Sequence, residues 1–187
     1  MNYVTIKQVK PIAEEYLNEF YDIQDYYLEA IKNTDEQFLE NLFDNAKTNG
    51  IRNSSRKVVI LSDVYLTKDE IARAKLKEIS KGKYSIVIFF HPGFFKKKSI
   101  AKMFEIAEQY IWHEATHIAR MKLLKTMEAH EGDIDDLEYL MTEAELNAFA
   151  VQSLSTTDDI DLAAETYECC ATDDVYDKFL DAKEQCK

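Results

Sequence analysis

Near the start of the chain, apolar residues recur every three or four positions, at Ile12, Tyr16, Phe20, Ile23, Tyr27 and Ile31. That spacing lines one helix face and predicts an amphipathic helix from Val9 to about Ala30. A second helix is expected next: Thr34 and Gln37 make a capping box, Phe38, Leu39, Leu42, Phe43 and Ala46 continue the stripe, and Gly50 is a stop. The pattern then changes to runs of β-branched residues. Lys57 to Leu66 (KVVILSDVYL) reads as a strand. A capping box of Thr67 and Glu70 predicts a helix carrying Ile71, Ala74 and Ile79 and ending near Gly82. Tyr84 to Phe90 is a second strand, stopped by the turn signal His91-Pro92-Gly93. Downstream the pattern is helical again, over about Ser99–Thr126, about Leu137–Leu154 and one or two helices from Asp159 onward. An acidic loop from His130 to Asp136 is expected between the first two. This order describes an α+β fold, mostly helical, with a small sheet. Residues 1–50 are expected to form an N-terminal helical extension and residues 51–187 the main domain.

Composition narrows the function classes. A length of 187 residues suffices for one domain with a real core, and few glycines and prolines argue for order nearly throughout. The longest apolar run, Ile86 to Phe90, is far too short to span a bilayer, and no charged-then-apolar leader is visible, so a soluble protein with no membrane partner is expected. A net charge of −12 disfavours nucleic acid, because phosphate backbones are bound through clustered Lys and Arg. The basic triplet Lys96-Lys97-Lys98 reads as a solvated loop. Three cysteines, Cys169, Cys170 and Cys186, cannot all pair within one chain and lack the spacing of a metal knuckle. They point to core packing and to a cytoplasmic location.

Chemistry concentrates in His113-Glu114-Ala115-Thr116-His117, which holds half of the four histidines. On a helix, residues four apart lie about 40° apart on one face, so both imidazoles can converge on one Zn²⁺ ion. Glu114 sits beside them as a general base for a zinc-activated water. The stripe Ile100, Phe104, Ala107, Ile111, Ala115 and Ile118 falls on the opposite side of the helical wheel, so the histidines are not spokes of the core face. A catalytic zinc site needs a third protein ligand. Glu143 is the candidate, on a face shared with Asn147, Ala150 and Leu154. Asn147, one turn along, would orient a histidine by hydrogen bond. Glu145 is expected to point to the other side.

The pair formed by His-Glu-Ala-Thr-His and Glu143-x-x-x-Asn147-x-Phe149-Ala150 resembles the gluzincin metallopeptidases, most closely the ImmA/IrrE group and less closely the CAAX prenyl endopeptidases. The match covers about Tyr84 to Leu154. The resemblance implies a minimal zincin-like fold, with a small sheet packed on an active-site helix pair. It also implies His113, His117 and Glu143 as zinc ligands, Glu114 as base and Asn147 as the residue supporting them. Ala115-Thr116 and Ile118-Ala119 stand where Gly or Ala-Gly is frequent in that group, and Leu146 where Ala is usual.

The function this implies is zinc-dependent endopeptidase action on a protein or peptide substrate. The alternative is a catalytically silent, peptidase-like binding or structural protein, such as a phage or mobile-element component. Tyr139, Tyr167, Tyr176, His130 and Arg120 are conceivable oxyanion donors, and sequence does not choose among them. The strand Tyr84 to Phe90 is expected to offer an edge to an extended substrate, and Phe94 and Phe95 to line a pocket or pack beneath the loop. Oligomeric state is not legible.

Overall fold

The computed structural model of the protein describes residues 2–33, 57–63, 65–66, 72–95, 99–126, 137–156 and 160–187. The helix expected at Thr34–Gly50, the boundary at residue 50, the Lys96–Lys98 triplet and the acidic loop with His130 lie outside them. The chain forms two compact units, one made of Met1–Glu14 with Ile111–Lys187, the other of Glu15–Tyr110. Helix α1 (Ile6–Asn33) and helix α2 (Ile100–Leu123) each contribute to both.

The Glu15–Tyr110 unit contains the sheet: β1 (Val58–Ser62), β2 (Ala72–Ser80) and β3 (Lys83–Phe90), in the order β1-β3-β2. β3 runs parallel to β1 and antiparallel to β2, with Ile88 opposite Ile60 on one side and Ala74 on the other. Val58, Ile86, Ile88 and Phe90 are wholly buried on one sheet face. The helices seat by hydroxyl bonds to strand backbone as well as by packing. Tyr16 of α1 donates to the Tyr84 carbonyl at 2.9 Å, and Tyr110 of α2 donates to the Ala72 carbonyl at 2.9 Å. Phe20 of α1 meets Phe104 of α2 edge-on at 5.9 Å.

Two expectations are corrected in this unit. The segment read as a helix ending near Gly82 is a strand from Ala72 onward, while Thr67 and Glu70 lie outside the described residues. The physical reason is the strict alternation Ala72-Arg73-Ala74-Lys75-Leu76-Lys77, which puts the basic side chains in water and turns the small and apolar ones inward. Gly82, taken as a helix stop, sits in the β2–β3 turn with φ +75°, a conformation open to glycine at little cost. The second correction concerns β3, which is the central strand. Both of its edges are hydrogen-bonded, so no substrate can add to it. After β3 a short 3-10 helix, Pro92–Phe95, places Phe94 against Phe90 at 5.8 Å, and His91 Nδ1 accepts from the Gly93 N–H at 3.1 Å, as a turn residue does.

The other unit is helical. It combines an extended segment at residues 2–5, the start of α1, the second half of α2, and α3 (Leu137–Leu140), α4 (Glu143–Ser155), α5 (Leu162–Cys170) and α6 (Asp173–Cys186). The helix expected over Leu137–Leu154 is interrupted at Met141-Thr142. Thr142 caps α4 by accepting from the Glu145 N–H at 3.3 Å, and Asp161 caps α5 through the Ala164 N–H at 3.0 Å. Tyr167 stacks on Phe179 at 4.3 Å, meets Phe149 edge-on at 5.5 Å and donates to the Leu140 carbonyl at 2.7 Å, joining α3, α4, α5 and α6. Every residue of α4 from Ala144 to Ser153 is buried. No described helix is long and apolar enough to cross a membrane.

Candidate metal centre

The α2 helix from His113 to Arg120 is buried on all sides, and its four-residue spacing brings the Nε2 atoms of His113 and His117 to 3.2 Å from each other. The rings meet at 65° with centroids 5.0 Å apart. The third group comes from α4. Glu145 Oε2 lies 3.2 Å from His113 Nε2, and Oε1 lies 3.4 Å from His117 Nε2. Ligand atoms about 2.0–2.1 Å from a tetrahedral metal stand about 3.3 Å from one another. The two imidazole nitrogens, and each nitrogen with its nearest Glu145 oxygen, lie close to that spacing, the two rings facing different oxygens of the carboxylate. Glu145 Oε2 is also sealed from solvent with no hydrogen-bond partner, although an imidazole nitrogen lies beside it. A buried carboxylate oxygen there needs a positive partner, which a metal ion or a protonated imidazole supplies, and the trio His113, His117 and Glu145 could hold a metal ion.

The charges follow the same geometry. Burial would raise the Glu145 carboxyl, but His117, His113 and the Tyr139 hydroxyl together bring it down to about 2. Tyr139 is itself pushed far up by burial and by the Glu145 charge it hydrogen-bonds. Glu114, 7% exposed, has its carboxyl raised by burial; His117 and His113 offset part of the rise and Glu145 adds to it. It is therefore a carboxylate with an enhanced proton affinity next to the trio but not part of it.

Glu143 and Asn147 are elsewhere. The Glu143 carboxylate accepts from the Asn2 backbone N–H. Asn147 grips Val4 at both backbone atoms, Oδ1 accepting from the N–H and Nδ2 donating to the carbonyl, each at 2.9 Å, and Nδ2 also reaches Cys186 Sγ at 3.1 Å. Arg120 completes this cluster by donating to the Asn2 carbonyl and to Asn147 Oδ1, both at 3.0 Å. The face of α4 carrying Glu143 and Asn147 thus holds the extended N-terminal segment. The face turned to the histidines carries Glu145, Phe149 and Gln152, with Phe149 edge-on to His113 at 4.5 Å and Gln152 Oε1 3.1 Å from His113 Nδ1. Both sets share the spacing i, i+4, i+7 or its start, so spacing alone does not choose between them.

Among the conceivable oxyanion donors, Tyr139 reaches the trio through Glu145. The Tyr167 hydroxyl is spent on the Leu140 carbonyl, Tyr176 bonds Glu168 at 3.3 Å, Arg120 holds the N-terminal cluster, and His130 lies outside the described residues. No protein-family model matches the chain, and neither does any curated protein or solved structure. The candidate metal site therefore rests on its own geometry.

Proposed function

We propose that the chain is a zinc-dependent endopeptidase acting on a protein or peptide substrate, with His113, His117 and Glu145 as ligands and Glu114 as general base. The observation that carries the reading is the buried, closely gathered trio of two imidazoles and one carboxylate, with a separate buried carboxylate beside His113. Two imidazoles and one carboxylate are a donor set that zinc takes in hydrolytic sites, with the fourth position left to water or substrate. When bound there, zinc supplies Lewis acidity for a scissile carbonyl and for water. Glu114 takes the proton of the attacking water and delivers it to the leaving amine, and its raised proton affinity suits both halves of that transfer. Tyr139 holds the Glu145 carboxylate in place. A net charge of −12 favours basic or unfolded substrates over acidic ones. The free Cys169 and Cys186 fit a reducing, cytoplasmic setting.

The test pairs elemental analysis with cleavage of a proteome-derived peptide library. Protein purified without chelator should carry one zinc per chain, and Glu114→Gln should keep that zinc while losing cleavage by about 100-fold or more. Zinc-free protein, or cleavage that survives Glu114→Gln, ends this reading. The depth of the site, with Glu145 2% and His113 6% exposed, favours as second reading a silent, peptidase-like binding protein. That reading requires stoichiometric metal and no cleavage by the wild-type chain.

A further inference from the structure

The His113 ring has two nitrogens, and both are engaged from α4. Its Nε2 faces the carboxylate of Glu145 and the Nε2 of His117, while its Nδ1 lies 3.1 Å from Gln152 Oε1. The Gln152 oxygen is only an acceptor, so this contact is a hydrogen bond when Nδ1 carries the proton. A neutral ring with its proton on Nδ1 leaves the Nε2 lone pair free, in the state a metal ion needs. Gln152 is 1% exposed and lies seven residues after Glu145, so the two side chains project from one face of α4 onto opposite ends of the same imidazole. Phe149, between them along that face, closes edge-on against the ring at 4.5 Å and limits its rotation.

We infer that Gln152 is the positioning residue of the metal centre, fixing His113 as the Nδ1–H tautomer so that Nε2 is open to the metal. The inference rests on the metal reading of the trio and does not depend on peptidase activity. A neutral amide performs this task without adding a third buried carboxylate to Glu114 and Glu145, both of which are already enclosed.

The experiment uses full-length protein. In ¹⁵N-histidine-labelled, metal-stripped wild type, two-bond nitrogen–proton correlations should show His113 protonated at Nδ1. Gln152→Leu, close in size but unable to accept, should lose that preference and bind zinc about 10–100-fold more weakly in competition with a chromophoric chelator. Gln152→Glu restores an acceptor and should retain both the tautomer and most of the affinity. A purely packing role gives the reverse ranking, with Leu tolerated and the buried Glu not. Wild-type His113 protonated at Nε2, or Gln152→Leu with unchanged tautomer and affinity, overturns the inference. Zinc bound with the expected tautomer but no peptide cleavage would remove the proposed peptidase function and leave the role of Gln152 standing.

Discussion

Two residues along an α-helix turn a side chain by about 200°, and on α4 that rotation separates the Glu145 carboxylate, at the histidines, from the Glu143 carboxylate, at the Asn2 backbone. The two glutamates should therefore respond oppositely to the same change. Glu145→Gln is expected to weaken zinc binding by about 100-fold or more, since it removes the anionic ligand, whereas Glu143→Gln should leave the affinity nearly unchanged. Titration with a chromophoric chelator separates them, and equal losses would return Glu143 to the ligand set. Cysteine chemistry is decided at the same scale. Burial, only partly offset by Asn147 and Arg120, pushes the Cys186 thiol up to about 11, while Cys169 is exposed. A raised pKa keeps the thiol protonated below that range, and the thiolate is the nucleophile. At pH 8, iodoacetamide should modify Cys169 in the folded protein and spare Cys186 until denaturant is added; mass spectrometry of the two peptides reads the outcome.

At the scale of elements, α4 is held from both sides. One face meets His113 and His117, and the other is clamped to residues 2–5 by Asn147, with Arg120 of α2 bridging to the same segment. Truncating Asn147→Ala leaves the Val4 N–H and carbonyl without their partners in a buried place and should cost about 2–4 kcal/mol, seen as a lower urea midpoint with an unchanged slope. A loss below about 0.5 kcal/mol would mean that the N-terminal segment contributes little to holding α4. The histidine pair was legible in the sequence because its geometry is internal to one helix. The rotation of α4 was not. With Ala144 to Ser153 buried on every side, the helix has no polar face to indicate which way it turns. For β2 the reason differs. The Ala-Arg-Ala-Lys-Leu-Lys alternation was present, but the Thr67/Glu70 capping signal and the i, i+3 pair Ile71 and Ala74 competed with it, and pairing with β3 decided the outcome.

For the molecule as a whole, a metal held by the trio would couple the proposed function to stability. A trio drawn from α2 and α4 cannot be assembled in the unfolded chain, so bound zinc should stabilise the native state by about 4 kcal/mol when free metal exceeds the dissociation constant 1,000-fold. For a chain of this size, stripping the metal with a chelator should lower the melting temperature by about 10 °C, and stoichiometric zinc should restore it. An unchanged melting curve across both additions would argue against a bound metal in the native state. The acidic balance of the chain belongs to this scale as well, because it bears on which charged molecules approach and not on how the trio is built.

The sequence by itself determined what lies within reach of a few residues: the helical placement of His113, Glu114 and His117, the apolar stripe from Ile100 to Ile118, the strands around Val58 and Ile86, and the mostly helical α+β composition of the whole. Only the tertiary structure decided which glutamate completes the trio, that Gln152 and not Asn147 meets a histidine, and that β3 is central and closed at both edges. Each of these depends on groups far apart in the chain. Asn2 and Val4 bond residues 141 and 143 positions away, and those contacts occupy the face of α4 opposite the one that meets His113 and His117. Local periodicity records which faces a helix has; long-range contacts determine where each face goes.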